Sequence, residues 1–274
     1  AGTEFGPTDY DMYGDGGFAL PANLVRIDID AAQLARRAAT VSLQADCARA
    51  LEALLTELDQ TGRHTSSRQV AARADGGAGR PATPGVARAA ATRDAAWAEI
   101  DPATKAQVKV VETIRDALPG ALIVGDSTQP VYAANLYYDH DRPGGWFSAA
   151  TGFGALGYGP PAAIGAALAV PDAPVVCLTG DGGFQFTLPE IGAALDAGAN
   201  VIFVVWNNRG YREIETSMRD VGVEPVGVSP MPPDFLKIAE AYGIEAERLA
   251  DASELGDALL RARLAQKPRL VEIS

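Results

Sequence analysis

Two strand ends that carry a carboxylate and two amide side chains lie within residues 179–213, and this segment constrains the fold more than any other. It reads TGDGGFQFTLPEIGAALDAGANVIFVVWNNRGYRE: a strand ending in Gly-Asp-Gly, a helix, and a second apolar strand ending in Asn-Asn. A strand–helix–strand crossover of this kind places the carboxyl ends of two parallel strands side by side. We therefore expect Asp181 and Asn208 to lie close together in an α/β fold.

The residues at these strand ends suit a metal ion that carries a diphosphate. Carboxylate and amide oxygens are ligands of the kind that Mg²⁺ prefers. Gly180, Gly182 and Gly183 have no side chain to keep phosphate oxygens from the backbone N–H groups, and the start of the following helix favours anions. An ordinary α/β unit with a glycine turn and an asparagine turn would show the same residues without a ligand, and it is the alternative here.

Two upstream segments have the same strand–loop–helix character. Residues 148–168, SAATGFGALGYGPPAAIGAAL, are glycine-rich and then helical in composition from about Pro161, since proline is favoured in a first helical turn. Residues 121–135, ALIVGDSTQPVYAAN, read as an apolar strand, a polar turn and a helix. Without a ligand, the first would be a glycine-rich loop packed on a helix and the second an ordinary turn with a helix N-cap.

Taken together, the Gly-Asp-Gly and Asn-Asn-Arg-Gly motifs and their spacing resemble the thiamine diphosphate signature of the pyruvate oxidase, acetolactate synthase and 2-oxo acid decarboxylase family. The resemblance implies that Mg²⁺ is held by the side chains of Asp181 and Asn208 and by the carbonyl of Gly210. It also implies that Leu156 is the apolar wedge that bends the cofactor, and that the Gly154 carbonyl accepts a hydrogen bond from the aminopyrimidine. The remaining cofactor contacts that it implies are Ser127, Gln129, Gly180, Gly182, Gly183 and Tyr211.

The family resemblance implies thiamine diphosphate- and Mg²⁺-dependent decarboxylation of a 2-oxo acid. The stretches GDSTQPVY and NNRGY are most similar to decarboxylases of 5-guanidino-2-oxopentanoate, and Glu213 or Glu215 would suit a cationic substrate tail. Acetolactate synthase-like carboligation is the alternative within the family. A nucleotide-binding Rossmann protein would need a differently placed glycine motif, and a non-catalytic binding domain is the other alternative.

The pattern along the chain predicts three regions. Residues 1–59 hold a strand, LVRIDID (Leu24–Asp30), and an amphipathic helix (Ala45–Leu58), and they resemble the end of a Rossmann-like central domain. Residues 60–101 are rich in Ala, Arg, Gly and Pro, which is typical of a mobile linker. From residue 102 to 274, strands and helices alternate, which predicts a doubly wound parallel α/β sheet that binds the diphosphate.

The family's activating glutamate belongs to a pyrimidine-binding domain of the neighbouring subunit, and no segment of this chain resembles that domain. We therefore expect the chain to be the C-terminal half of an enzyme, to be inactive alone, and to form a homodimer or homotetramer through residues 102–274. With 35 Asp and Glu against 23 Lys and Arg, the net charge of −12 disfavours nucleic acid and anionic membranes as partners. No apolar run is long enough for a membrane span, and we expect a cytoplasmic protein.

Overall fold

The computed structural model describes residues 22–60, 85–151, 153–265 and 267–274. The chain divides into two compact units, residues 1–92 and residues 93–274. The polar opening predicted for the first region, and much of the predicted linker, lie outside the described residues.

The first unit contains a small parallel sheet. It comprises β1 (Val25–Asp28), α1 (Ala31–Ala35), β2 (Val41–Gln44) and α2 (Cys47–Gln60), and β1 pairs with β2 in parallel. Strand β1 and helix α2 match the sequence prediction to within about two residues, as element ends usually do. Helix α1 and strand β2 were not predicted; α1 begins where the Asp30 side chain accepts the Ala32 N–H at 2.8 Å, which is an N-cap.

The predicted linker is partly helical. Helix α3 (Gly85–Glu99) lies within residues 60–101, so this part of the predicted linker is helical, and its role as a linker stays a prediction. The segment lacks an apolar face, which is why periodicity did not reveal it. It is nevertheless rich in alanine, the residue with the highest intrinsic helix propensity.

The second unit is built on a six-stranded parallel sheet. Its strand order is β4-β3-β5-β6-β8-β7. The strands are β3 (Leu122–Gly125), β4 (Trp146–Ser148), β5 (Val175–Gly180), β6 (Val201–Trp206), β7 (Glu245–Leu249) and β8 (Arg269–Ile273). The helices are α4 (Pro102–Ala117), α5 (Gln129–Tyr137), α6 (Gly159–Ala169), α7 (Asp181–Phe186), α8 (Glu190–Asp196), α9 (Arg212–Asp220), α10 (Phe235–Tyr242) and α11 (Leu255–Leu264).

Apolar side chains on both faces of the sheet hold the helices in two layers. Alternation along β3 sends Ile123 to one core, with residues of α4, α5 and α11, and Val124 to the other, with residues of α6, α8 and α10. The central strands β5 and β6 are buried along almost their whole length. The predicted doubly wound parallel α/β fold is therefore confirmed, and none of the described helices is long and apolar enough to cross a bilayer.

The topology creates a crevice at one edge of this sheet. From β3 the chain moves outward to β4 and then returns to β5 on the opposite side of β3. Such a reversal separates the loops that leave the two strands, and ligands of open α/β sheets bind in the crevice outside their carboxyl ends. The loops after β3, β5 and β6 therefore meet at this edge.

Candidate functional site

A cavity of about 230 Å³ lies at the carboxyl edge of the sheet. The loops after β3, β5 and β6 line it together with the segment before α6 and the start of α9. All the residues that the sequence analysis assigned to the cofactor line it: Ser127, Gln129, Gly154, Leu156, Gly180, Asp181, Gly182, Gly183, Asn208, Gly210 and Tyr211. The structure thus brings the whole predicted set together, while each residue's contact with a cofactor stays a prediction.

Asp181 presents a buried carboxylate at this edge. The residue is 1% exposed, and its Oδ2 has no hydrogen-bond partner among the described residues. Burial raises the pKa of this carboxyl above its ordinary value of 3.8, although the backbone N–H groups of Asp181, Gly182 and Gly210 act in the opposite direction. A buried acidic oxygen without a partner is costly unless a cation or a donor satisfies it.

The Asn208 side chain lies between the Asp181 carboxylate and the Gly210 carbonyl. The Asn208 amide Nδ2 donates to Gln129 Oε1 at 3.0 Å. Its Oδ1 then lies 3.2 Å from Asp181 Oδ1 and 2.8 Å from the Gly210 carbonyl oxygen, with no proton available between these acceptors. Ligands that surround Mg²⁺ octahedrally at 2.0–2.1 Å are about 2.9 Å from their neighbours, so these separations fit a shared cation.

A second amide orientation satisfies the same atoms without a cation. If the Asn208 amide is turned over, its NH₂ group donates to Asp181 Oδ1 and to the Gly210 carbonyl at those same distances. In this arrangement the amide nitrogen takes the place of Oδ1, so Asn208 binds a cation only in the first orientation. Because the candidate set uses an amide and a backbone carbonyl, it is not a cluster of three His, Cys, Asp or Glu side chains, and the described ranges contain no such cluster.

The glycines after β5 leave room at the cavity wall. A Cβ at Gly182 would lie 2.4 Å from Cε1 of Tyr211, and a Cβ at Gly183 would lie 3.3 Å from the Asp126 carboxylate. Helix α7 begins at Asp181 itself, so the N–H groups of Gly182 and Gly183 belong to its first turn and have no carbonyl acceptor within the helix. The absence of side chains here permits both the packing of Tyr211 and access to these N–H groups.

Asp126 connects the loops of the site, and the sequence analysis did not single it out. It is fully buried and accepts N–H groups from Ser127 at 2.7 Å, Gly157 at 2.9 Å and Gly159 at 3.1 Å. Burial raises the pKa of this carboxyl, while these hydrogen bonds oppose the rise. The end of β3 is thereby fixed to the segment that carries Gly154 and Leu156.

Leu156 lies at the cavity rather than in the core. Its side chain is half-buried and belongs to neither buried apolar cluster. Gly154 has a φ of 72°, in the left-handed region that glycine readily adopts, and its carbonyl accepts the Ser127 hydroxyl at 3.3 Å. The residues predicted as wedge and carbonyl acceptor are thus side by side at the cavity wall.

The two glutamates of α9 differ in their surroundings. Glu215 is paired with Arg212 at 2.6 Å and with Arg219 at 2.9 Å. Glu213 lines the cavity, and no hydrogen bond or ion pair engages its carboxylate within the part of the chain that the structure describes. Its charge contributes to raising the pKa of nearby Tyr132, after the larger effect of burial. Thr128, Tyr132, Arg212 and Ile214 also line the cavity and were not predicted.

These features define an α/β domain with an oxygen-lined site at the switch point of a doubly wound sheet, a class in which such sites commonly bind phosphorylated cofactors. A family model described as "Thiamine pyrophosphate enzyme, C-terminal TPP binding domain" matches residues 126–273. The match spans more than half of the chain, and the chain belongs to this family. The resemblance found in the sequence is therefore confirmed.

Individual relatives match more than half of this chain, but the matched region is less than half of each relative's own length. The probable 2-ketoarginine decarboxylase AruI of Pseudomonas aeruginosa is 34% identical over 93% of this chain and 42% of its own length. Acetolactate synthase isozyme 3 large subunit of Escherichia coli is 35% identical over 56% of this chain and 27% of its own. The thiamine diphosphate-dependent 4-hydroxybenzoylformate decarboxylase of Rhodococcus jostii RHA1 superposes with a TM-score of 0.66 at 25% identity, covering 92% of this chain and 43% of that one. The chain thus spans less than half the length of these relatives.

Proposed function

We propose that this chain is the diphosphate- and metal-binding half of a thiamine diphosphate- and Mg²⁺-dependent 2-oxo acid decarboxylase. The observation that carries the proposal is that the Asn208 side-chain amide lies within 3.2 Å of both Asp181 Oδ1 and the Gly210 carbonyl oxygen, beside a buried Asp181 oxygen that has no partner among the described residues. The family match supports the cofactor, and decarboxylases among the relatives support the reaction class.

Each loop of the cavity has a separate task in this proposal. Asp181, Asn208 and the Gly210 carbonyl hold Mg²⁺, while the first N–H groups of α7 and the side chains of Ser127 and Gln129 hold phosphate oxygens. Gly154 and Leu156 support the ring portion of the cofactor. When bound, thiamine diphosphate would supply the carbanion chemistry by which a 2-oxo acid loses CO₂. The protein supplies position, charge and exclusion of water.

The charge at the cavity favours a substrate with a cationic tail. The two arginines of α9 already neutralise Glu215, so Glu213, which lines the cavity, is the glutamate of this helix that is available to a ligand. A guanidinium group and a carboxylate form short, strong hydrogen bonds. We therefore choose 5-guanidino-2-oxopentanoate, the acid also called 2-ketoarginine, as the first candidate substrate.

Carboligation is the second candidate activity, because acetolactate synthase is also among the relatives. It differs from simple decarboxylation in the fate of the product: two 2-oxo acid molecules yield one larger hydroxy acid and one CO₂. A non-catalytic binding domain would bind the cofactor or a partner and give neither product.

The test is a CO₂-release assay on the complete product of the reading frame that contains this chain. Thiamine diphosphate, Mg²⁺ and one of three acids are supplied: 5-guanidino-2-oxopentanoate, 2-oxohexanoate or pyruvate. We expect cofactor-dependent CO₂ release, fastest from the guanidino acid. Acetolactate formed from pyruvate at a higher rate would favour carboligation. No CO₂ from any of the acids, in a folded and cofactor-loaded protein, would contradict the proposed function.

A further inference from the structure

A buried carboxylate outside the cavity is bonded to the turn that carries the metal ligands. Glu272, on β8, is 1% exposed and does not line the cofactor cavity. Its Oε1 accepts the Asn207 amide Nδ2 at 2.6 Å, and its Oε2 accepts Arg248 Nε at 2.9 Å. Both oxygens of this buried carboxylate are therefore used, one by the turn and one by a cation.

Asn207 transmits this contact to the backbone of the turn. Its Oδ1 accepts the Arg209 N–H at 3.2 Å, and its own N–H donates to the Ile273 carbonyl at 2.8 Å. An asparagine that bonds the N–H two residues ahead closes a local turn around the residue between them. That intervening residue is Asn208, the proposed side-chain ligand of the metal.

The turn has a conformation that needs such support. Arg209 has a φ of 60°, which is uncommon for a residue with a side chain, and Gly210 follows with a φ of 154°. A Cβ at Gly210 would lie 2.6 Å from the Val228 carbonyl oxygen, so the backbone passes very close to its neighbour here. The Asn207 bond to the Arg209 N–H holds this left-handed residue in place.

Arg248 anchors the other side of Glu272. Its guanidinium also bonds Asp234 Oδ1 at 3.2 Å, so it joins β7, β8 and the start of α10. The Glu272 side chain is 2% exposed, whereas that of Arg248 is 43% exposed. A buried carboxylate that is fully hydrogen-bonded holds its partners in fixed positions, and loss of one partner leaves the others unsatisfied.

We propose that Glu272 is a positioning residue for the metal site: held by Arg248, it fixes Asn207 and thereby the turn that presents Asn208 and the Gly210 carbonyl. The inference rests on the proposed function, because it assigns those two groups to Mg²⁺. Glu272 itself does not line the cofactor cavity. Its effect on the metal acts through the shape of the turn, and it should therefore appear in metal affinity.

The test compares Mg²⁺ affinity between matched variants of the complete protein that contains this chain. Glu272→Gln keeps the size of the side chain, but its amide NH₂ must face either Asn207 Nδ2 or Arg248 Nε, and both of these are donors. The control is Glu247→Gln, which removes an ion pair with Arg261 at 2.6 Å on neighbouring β7, away from the turn. Mg²⁺ is titrated calorimetrically at saturating thiamine diphosphate, and melting temperature without ligands is recorded for each protein. We expect Glu272→Gln to weaken Mg²⁺ binding at least tenfold and Glu247→Gln to leave it within twofold.

A double-mutant cycle separates positioning from loss of stability. Asn207→Ala removes the link while the Glu272–Arg248 pair is kept, and it provides the measurement if Glu272→Gln does not fold. If Glu272 acts through Asn207, adding Glu272→Gln to Asn207→Ala should weaken Mg²⁺ binding by less than threefold more. Unchanged Mg²⁺ affinity in folded Glu272→Gln or Asn207→Ala protein overturns the inference alone. A parent protein that binds no Mg²⁺ with thiamine diphosphate overturns the proposed function as well.

Discussion

At the scale of single residues, Leu156 is expected to serve the cavity rather than the core. Core Leu→Ala changes cost about 2–5 kcal/mol, but Leu156 is half-buried and belongs to neither apolar cluster. We expect Leu156→Ala to lower the free energy of unfolding by less than about 2 kcal/mol and to reduce CO₂ release strongly. Urea denaturation and the assay above measure the two effects. Leu255→Ala, at a fully buried position, is the control that should lose stability.

The opposite pattern in Leu156→Ala would identify an ordinary core residue. A large loss of unfolding free energy with unchanged specific activity in the folded fraction is the result that contradicts the wedge interpretation.

Replacing Glu213 tests whether its carboxylate recognises the cationic tail of the proposed substrate. We expect Glu213→Gln to raise KM for 5-guanidino-2-oxopentanoate about tenfold, the equivalent of one exposed charge-assisted hydrogen bond. KM for 2-oxohexanoate should stay the same, since its tail carries no positive charge to pair with Glu213. Glu240→Gln, which removes a carboxylate outside the cavity lining, is the control. Equal KM changes for the acid with the cationic tail and the acid with the uncharged tail would rule out recognition of the tail by Glu213.

The sequence identified the site residues that follow strand ends, because parallel strands bring their carboxyl ends to one edge whatever the details of packing. It did not identify Asp126, whose bonded groups include the backbone N–H groups of Gly157 and Gly159. Backbone donors leave no trace in side-chain pattern, so only the folded chain reveals this connection. The difference between Glu213 and Glu215 likewise depends on which of them Arg212 and Arg219 reach.

At the scale of elements, the strongly patterned strands and helices of residues 102–274 were predictable, and the weakly patterned ones were not. Strand β2 is exposed along its whole length, so no buried face marks it. Helix α3 has high propensity without an apolar stripe. Helix α7 begins inside the motif itself, at Asp181, where glycines normally argue against helix. In each case the missing signal is side-chain periodicity.

Asp126 joins strand β3 to the segment before α6, and its replacement should loosen that junction. In Asp126→Asn an NH₂ group must face backbone donors, so we expect a loss of about 1–3 kcal/mol of unfolding free energy. The raised folded-state pKa means that this carboxyl contributes stability fully below 3.8 and loses that contribution as pH rises through the raised value. The stability difference between parent and variant should therefore shrink as pH increases.

Urea denaturation at several pH values from about 4 to about 8 measures this difference. Asp196→Asn, at the exposed end of α8, should match the parent throughout. A parent–variant difference that grows with pH would mean that the ionised form of Asp126 is the stabilising one.

At the scale of the whole molecule, the chain spans less than half of its relatives, and its assembly remains a prediction. Large apolar side chains of the second unit are exposed, among them Leu136 at 72%, Phe153 at 99% and Phe186 at 62%. Exposed apolar surface of this kind favours association. We expect a homodimer or homotetramer by analytical ultracentrifugation and no CO₂ release by this chain alone; a monomer, or turnover near that of the complete protein, would contradict this.

The central claim is that Asp181, Asn208 and Gly210 form a Mg²⁺ site for a diphosphate. Its most direct test is calorimetric titration of thiamine diphosphate, with and without Mg²⁺, into the complete protein that contains this chain. The same titration is made with two of its variants, Asp181→Ala and the exposed-site control Asp196→Ala. We predict Mg²⁺-dependent binding in the parent and the control. In Asp181→Ala, affinity should fall at least a hundredfold, because a metal ion bound to an anionic diphosphate loses its only charged protein ligand. Equal, Mg²⁺-dependent affinity in Asp181→Ala and the parent would contradict the account.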